Sequence, residues 1–162
     1  MTFSYALLLG AFFLALLQCS IPLAGLYYQH RNWLKWIKPI TLSQFTFIAL
    51  AMLSLAYAFL VNDFSFVYVA QNSNTHLPWF YRVCALWGGH EGSLLLWVFI
   101  LNLWTVAVIV LNQSIELALL ARVVSVLGFI SAGFLLFLLT LSNPFSLAAE
   151  RMMDGRDLNP LL

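Results

Sequence analysis

Six consecutive residues, Trp87-Gly88-Gly89-His90-Glu91-Gly92, bring together an indole, an imidazole, a carboxylate and three glycines. If a helix starts early enough, Trp87, His90, Leu94 and Trp97 share one face, with the imidazole between two indoles. Glycines cost up to ~1 kcal/mol each in a helix relative to alanine, and in return they allow close approach by another backbone or a flat ligand. The same pattern also suits helix packing beneath an interfacial belt of aromatic residues. His90 can serve as a metal or haem ligand, as half of a proton-transfer pair with Glu91, or as a polar helix start at a membrane surface. Neighbours in a helix point about 100° apart, which argues against the two sharing one metal. In a first turn, Glu91 also complements the helix dipole.

Arg82 is the lone cation of the surrounding segment, residues 62–91. It is expected to pair with Asp63 or Glu91 rather than with a ligand carboxylate. His30 and His76 read as loop side chains. Cys19 and Cys84 have no CxxC or Cys/His spacing, so neither a zinc site nor a redox pair is encoded. No phosphate-binding glycine loop, Ser/His/Asp set or zincin motif is present.

The elements that must position these residues are set by composition. Hydrophobic residues make up 63% of the 162 and charged residues 8%, with a mean hydropathy of +0.93, against about a quarter charged in a soluble domain. Long apolar blocks in lipid must satisfy their own backbone as helix. The fold class is therefore an all-α integral membrane protein, one domain of about four transmembrane helices plus a short interfacial helix. The expected spans are 3–28, 40–61, 92–111 and 123–141, each near the roughly 20 residues needed to cross. A net charge of +1 with no Lys/Arg run excludes nucleic acid as a partner.

Between spans two and three, residues 63–70 are aromatic, β-branched and partly alternating, which suits a strand or a chain laid over the helix ends. Residues 71–75 form a polar turn cluster. Pro78 then suits the start of a short helix through Trp79, Tyr81, Arg82 and Ala85, lying flat at the interface. Pro22 and Gly25 predict a bend late in the first span. Arg31, Lys35 and Lys38 mark the first connecting loop as cytoplasmic, and Arg122 adds to that side. The N-terminus, residues 62–91 and the tail 142–162 are then outside. Gln18, Gln44 and Asn102 are the main polar residues within the spans. A transporter or respiratory-complex subunit, the alternative reading, usually carries ionisable groups at such depth.

Four stretches then become recognisable: Val61-Asn62-Asp63-Phe64 with Tyr68-Val69-Ala70-Gln71-Asn72-Ser73-Asn74; Leu77-Pro78 through Tyr81-Arg82; Trp87 through Trp97; and Ser142-Asn143-Pro144-Phe145 followed by Gly155-Arg156-Asp157-Leu158-Asn159-Pro160-Leu161-Leu162. In this order and spacing they resemble the N-terminal portion of the CcmF family, cytochrome c maturation proteins among the haem-handling membrane proteins. The resemblance implies a bacterial inner-membrane subunit of a haem lyase, which joins haem vinyl groups to apocytochrome c thiols on the periplasmic side. It implies as partners a haem chaperone, apocytochrome c, other maturation subunits, membrane lipid and the remaining C-terminal portion of the family protein. That portion is either encoded separately, as in some organelles, lost by truncation, or simply outside this sequence.

The resemblance also implies that haem is held by histidines and a tryptophan-rich loop beyond residue 162. Trp87, Gly88, Gly89, His90, Glu91, Gly92, Trp97 and Arg82 are then a haem-proximal surface without axial ligands, and no catalytic residue is assigned to this stretch. A purely structural assembly subunit is a further alternative. The chain alone is expected not to hold haem tightly. A Soret band that co-purifies with it and vanishes in His90→Ala would refute this.

Overall fold

Each apolar block folds as a helix because hydrocarbon offers no other partner for backbone N–H and C=O groups. The computed structural model describes residues 3–111, 115–148 and 155. The elements are α1 (Phe3–Tyr27), α2 (Arg31–Leu34), α3 (Ile37–Leu60), α4 (Val67–Asn72), α5 (Trp79–Ala85), α6 (His90–Leu111) and α7 (Leu117–Thr140). Among the described residues, four helical stretches are long and apolar enough to cross a membrane: Phe3–Tyr27, Arg31–Leu60, His90–Leu111 and Leu117–Thr140. The protein is thus an all-α, multi-pass membrane protein.

Charged residues at block edges explain why the helices outrun the hydropathy boundaries. Helix α3 begins at Ile37 and takes Lys38 and Pro39 into its first turn, where proline lacks only a hydrogen bond that no helix makes there. Helix α7 begins at Leu117, so Arg122 lies within the helix and not in a loop before it. Its side chain is exposed, and a long arginine can carry its charge back towards water. Helix α1 runs through Pro22 to Tyr27 as one element.

The bundle is a ring in which α1 packs against α3 and α7, and α6 closes the other side against the same two helices. Its core at one end is built from Leu8, Ile48, Leu55, Leu95 and Leu135, continuous with Phe59 near the end of α3 and with Tyr68 and Phe145 above it. Small residues set the spacing. A side chain at Gly10 would overlap the Phe47 ring, and one at Gly128 would come within 2.9 Å of the Cys19 backbone nitrogen.

Each spanning helix also turns a buried polar side chain inward: Gln18 from α1, Gln44 from α3, Asn102 from α6 and Ser125 from α7. At about 1.5 Å per residue each lies roughly 10–14 Å from the end of its own helix opposite the cap. Gln18 Nε2 donates to the Val124 carbonyl at 3.4 Å. Asn102 Nδ2 donates to the Val98 carbonyl at 2.9 Å and to Ser131 Oγ at 3.1 Å. Neither amide atom of Gln44 has a protein partner.

Of the two readings of residues 63–70, a strand or a chain laid over the helix ends, the strand is corrected. Residues 67–72 are helical, and the extended backbone reduces to an isolated antiparallel bridge between Phe66 and Leu147. The Val67 amide donates to the Ser146 carbonyl and the Ala148 amide to the Ser65 carbonyl. Local β-propensity loses here because Tyr68, Val69 and Ala70 can all be buried by a single turn of helix standing on α3 and α6. Of the tail, the charged positions 150, 151, 154, 156 and 157 lie outside the described residues. Gly155 lies against the Ser73 carbonyl, which a side chain there would overlap.

Because a buried amide without a partner costs about 1–3 kcal/mol, Gln44→Leu should leave the melting temperature in detergent unchanged or higher. Leu55→Ala, which opens a cavity in the fully buried core, should destabilise by about 2–5 kcal/mol in the same assay.

Candidate functional site

Above the bundle, the link from α3 to α6 folds back on itself as a cap. It starts at Asn62, which adopts a positive φ of 52° and leaves its side-chain oxygen to accept from Ser73 Oγ at 3.1 Å. Asp63 Oδ1 accepts from the Ser65 hydroxyl at 2.6 Å and from the Ser65 amide at 3.2 Å. Asn74 Oδ1 accepts from the His76 and Leu77 amides, both at 3.0 Å, closing the turn before Pro78. Pro78 stands at the N-cap of α5, one position before the first helical residue.

Arg82 does not pair with Asp63 or Glu91. Its Nε donates to the Leu77 carbonyl at 2.8 Å, Nη1 to the Leu60 carbonyl at 3.1 Å and Nη2 to the Thr75 carbonyl at 3.0 Å. The planar fork suits this clamp, because its donors diverge towards three backbone oxygens. The Leu60 carbonyl belongs to the last turn of α3, where carbonyls lack helical partners and a cation meets the negative end of the dipole. Asp63 is meanwhile engaged with Ser65, so neither group needs the other.

The central residue of the cap is Tyr68, 2% exposed. Its hydroxyl donates to the Leu86 carbonyl at 3.0 Å and accepts the Gly89 amide N–H at 3.1 Å. Its ring stands edge-on to Phe59 at 5.5 Å between centroids. Burial pushes the phenol above its ordinary value. Hydrogen bonds with the Gly89 and Gly92 backbone oppose that shift in part, and the Glu91 carboxylate adds to it.

This contact explains two of the three glycines. A side chain at Gly89 would come within 2.8 Å of the Tyr68 ring, and one at Gly92 would overlap the Leu86 carbonyl. The close approach they permit is thus to this protein's own backbone and tyrosine. Gly88 is exposed and less tightly packed, with the Ala85 carbonyl 3.3 Å from a side chain placed there. Ser93 Oγ donates to the Trp87 carbonyl at 2.8 Å, so the turn is tied on both sides.

Helix α6 starts at His90, which leaves Trp87 in the preceding turn, outside the helical face expected for it. The inward face of α6 carries Gly92, Leu95, Val98, Asn102 and Thr105. His90, Trp87 and Trp97 point outward instead, with the His90 side chain 72% exposed. His90 Nδ1 lies 3.4 Å from Glu91 Oε2. Among the described residues no group of three His, Cys, Asp or Glu is placed to hold a metal. Cys84 is exposed and Cys19 partly buried, both as free thiols.

One turn below His90, Leu94 joins Ile130, Gly133, Phe134 and Phe137 in an open apolar groove of about 420 Å³ between α6 and α7. The segment therefore offers one exposed imidazole and two exposed indoles, and Leu94 one turn further along α6 opens onto an apolar groove.

These features define a class: a multi-pass helical membrane protein whose aromatic cap stiffens one end of a four-helix bundle. The chain belongs to the cytochrome c assembly proteins and corresponds to the N-terminal portion of their CcmF members. The profile of the Cytochrome C assembly protein family matches residues 87–162. The chain is 52% identical over 156 residues to the cytochrome c-type biogenesis protein CcmF of Pseudomonas aeruginosa, covering 96% of this chain and 24% of that protein. It is 56% identical over 119 residues to CcmF of Escherichia coli K12, covering 73% and 18%. It is also 41% identical over 153 residues to the cytochrome c-type biogenesis protein NrfE of Haemophilus influenzae, covering 94% and 24%. A solved structure titled Cytochrome c Heme Lyase CcmF superposes with a TM-score of 0.80 at 27% identity, over 88% of this chain and 23% of that one. The chain thus spans about a quarter of the length of these relatives.

Tyr68→Phe leaves the Leu86 carbonyl and Gly89 amide unpaired in a buried place, so it should cost about 1–3 kcal/mol and speed proteolysis of the cap. Gly92→Ala should be worse than Gly88→Ala in the same digestion. A phenol whose folded value is raised contributes fully below the ordinary value of about 10 and loses its contribution as pH climbs through the raised one. Alkaline titration should therefore loosen the wild-type cap above about pH 10, and Tyr68→Phe should lack that step.

Proposed function

We propose that this chain is the N-terminal membrane part of a cytochrome c haem lyase. On this reading it sits in the bacterial inner membrane with its N-terminus and cap on the periplasmic side. The basic α1–α3 loop supports that orientation through the charge rule for cytoplasmic loops. In the reaction, each cysteine S–H of apocytochrome c adds across a haem vinyl group, giving a thioether with no leaving group. Haem is the substrate, delivered by a chaperone, and the apocytochrome and other maturation subunits are partners.

The observation that carries this reading is the Tyr68-pinned turn, which leaves Trp87 and His90 exposed at the start of α6. In that role Trp87, Gly88, His90, Glu91 and Trp97 form a wall beside haem or the apocytochrome, with Gly89 and Gly92 packed behind it against Tyr68 and the Leu86 carbonyl. Arg82 supports the wall from behind, through its three carbonyls. The ligands to haem come from the rest of the family protein.

Deleting the gene should abolish covalent haem in c-type cytochromes, read by haem staining of denatured membranes, and the wild-type gene should restore it. Under the same complementation, Trp87→Ala and His90→Ala should reduce haem attachment while leaving the protein level unchanged. Full attachment in both variants would favour a second reading, a purely structural subunit. That reading draws on Gly89 and Gly92, whose spacing is already accounted for by internal packing.

A further inference from the structure

At the end of the bundle away from the cap, α2 and the start of α3 present Arg31, Lys35 and Lys38 at spacings of four and three, which places them on one helical face. They line a cavity of about 400 Å³ together with Leu34, Ile37 and two leucines of α7, Leu117 and Leu120. No acid lines it. Glu116 lies in an adjoining cavity that it shares with Arg31, leaving Lys35 and Lys38 unopposed. Among the described residues none of the three cations forms an ion pair.

Leu34 and Ile37 are buried and cap a small apolar cluster with Ile109, Ala121 and Val124, so the floor of the cavity is rigid hydrocarbon. Exposed Trp33 and Trp36 on the neighbouring face set this level at the membrane–water boundary, where indoles concentrate. A ligand here meets cations at the water side and aliphatic walls on the membrane side. Inorganic phosphate would use only the first, and a neutral lipid only the second. Basic pockets between transmembrane helices are suited to the headgroups of anionic lipids.

We propose that this cavity binds an anionic phospholipid, with its phosphate held by Lys35, Lys38 and Arg31 and its glycerol and upper acyl carbons against Leu34, Ile37, Leu117 and Leu120. The site is independent of the cap and of the haem-related reading.

The test is native mass spectrometry of the full chain, delipidated in mild detergent and titrated with phosphatidylglycerol or phosphatidylcholine. Wild type should retain phosphatidylglycerol about tenfold better than phosphatidylcholine. The Lys35→Gln/Lys38→Gln double variant should lose that preference, whereas Lys35→Arg/Lys38→Arg should keep it, which guards against a folding defect. Arg122→Gln, a cation outside the cavity, should keep it as well. Millimolar inorganic phosphate should not displace the lipid. An unchanged preference in the Lys35→Gln/Lys38→Gln variant, or an equal loss in Arg122→Gln, would overturn the proposal. So would displacement by phosphate alone.

Discussion

The Tyr68 hydroxyl, donating to the Leu86 carbonyl and accepting the Gly89 amide, ties α4 to the turn between α5 and α6, 18 and 21 residues further along the chain. Without it, the turn between α5 and α6 would have two buried backbone groups unsatisfied in a place water cannot readily reach, a state native structures avoid. With it, the start of α6 is set at His90, the direction of Trp87 is set by the turn, and Gly89 and Gly92 become necessary because the tyrosine and the Leu86 carbonyl occupy the space a side chain would need. The neighbouring Phe59 ring carries the same contact down into α3. One phenol thus couples the cap to the bundle.

Arg82 does similar work at the other side of the cap. By donating to the Leu60, Thr75 and Leu77 carbonyls, it joins the end of α3 to the polar turn and to α5. Its charge is matched to partial charges on oxygen and to a helix C-terminus, so no carboxylate is required. Glu91 is left to the first turn of α6 and to His90, and Asp63 to Ser65. The cap therefore achieves order through backbone acceptors, a solution that adds no buried ion pair.

Beneath the cap the bundle contrasts two kinds of interior. The half nearer Tyr68 is aliphatic and tightly filled, which favours a rigid base. The other half contains Gln18, Gln44, Asn102 and Ser125, with partial hydrogen bonding. Outward, the rings of Trp87, His90 and Trp97 face away from both interiors.

Much of this was legible in the residues alone. Four apolar blocks had to be helices, because lipid supplies no hydrogen bonds to an extended or irregular backbone. Pro78 marked the start of α5, and the weight of charge in the first loop was plain. The Trp-Gly-Gly-His-Glu-Gly segment stood out as a place of close approach, but what approaches was not visible. Tyr68 lay inside an aromatic, β-branched run that reads as a strand, and nothing local signals that it folds as a helical turn beneath Gly89, 21 residues away. Arg82 looked like half of an ion pair, because sequence displays charged side chains and conceals backbone carbonyls. Local propensity and hydropathy thus determined which segments cross the membrane. Only the tertiary structure decided what the glycines make room for, since that depends on which distant backbone groups a buried phenol and a guanidinium can reach.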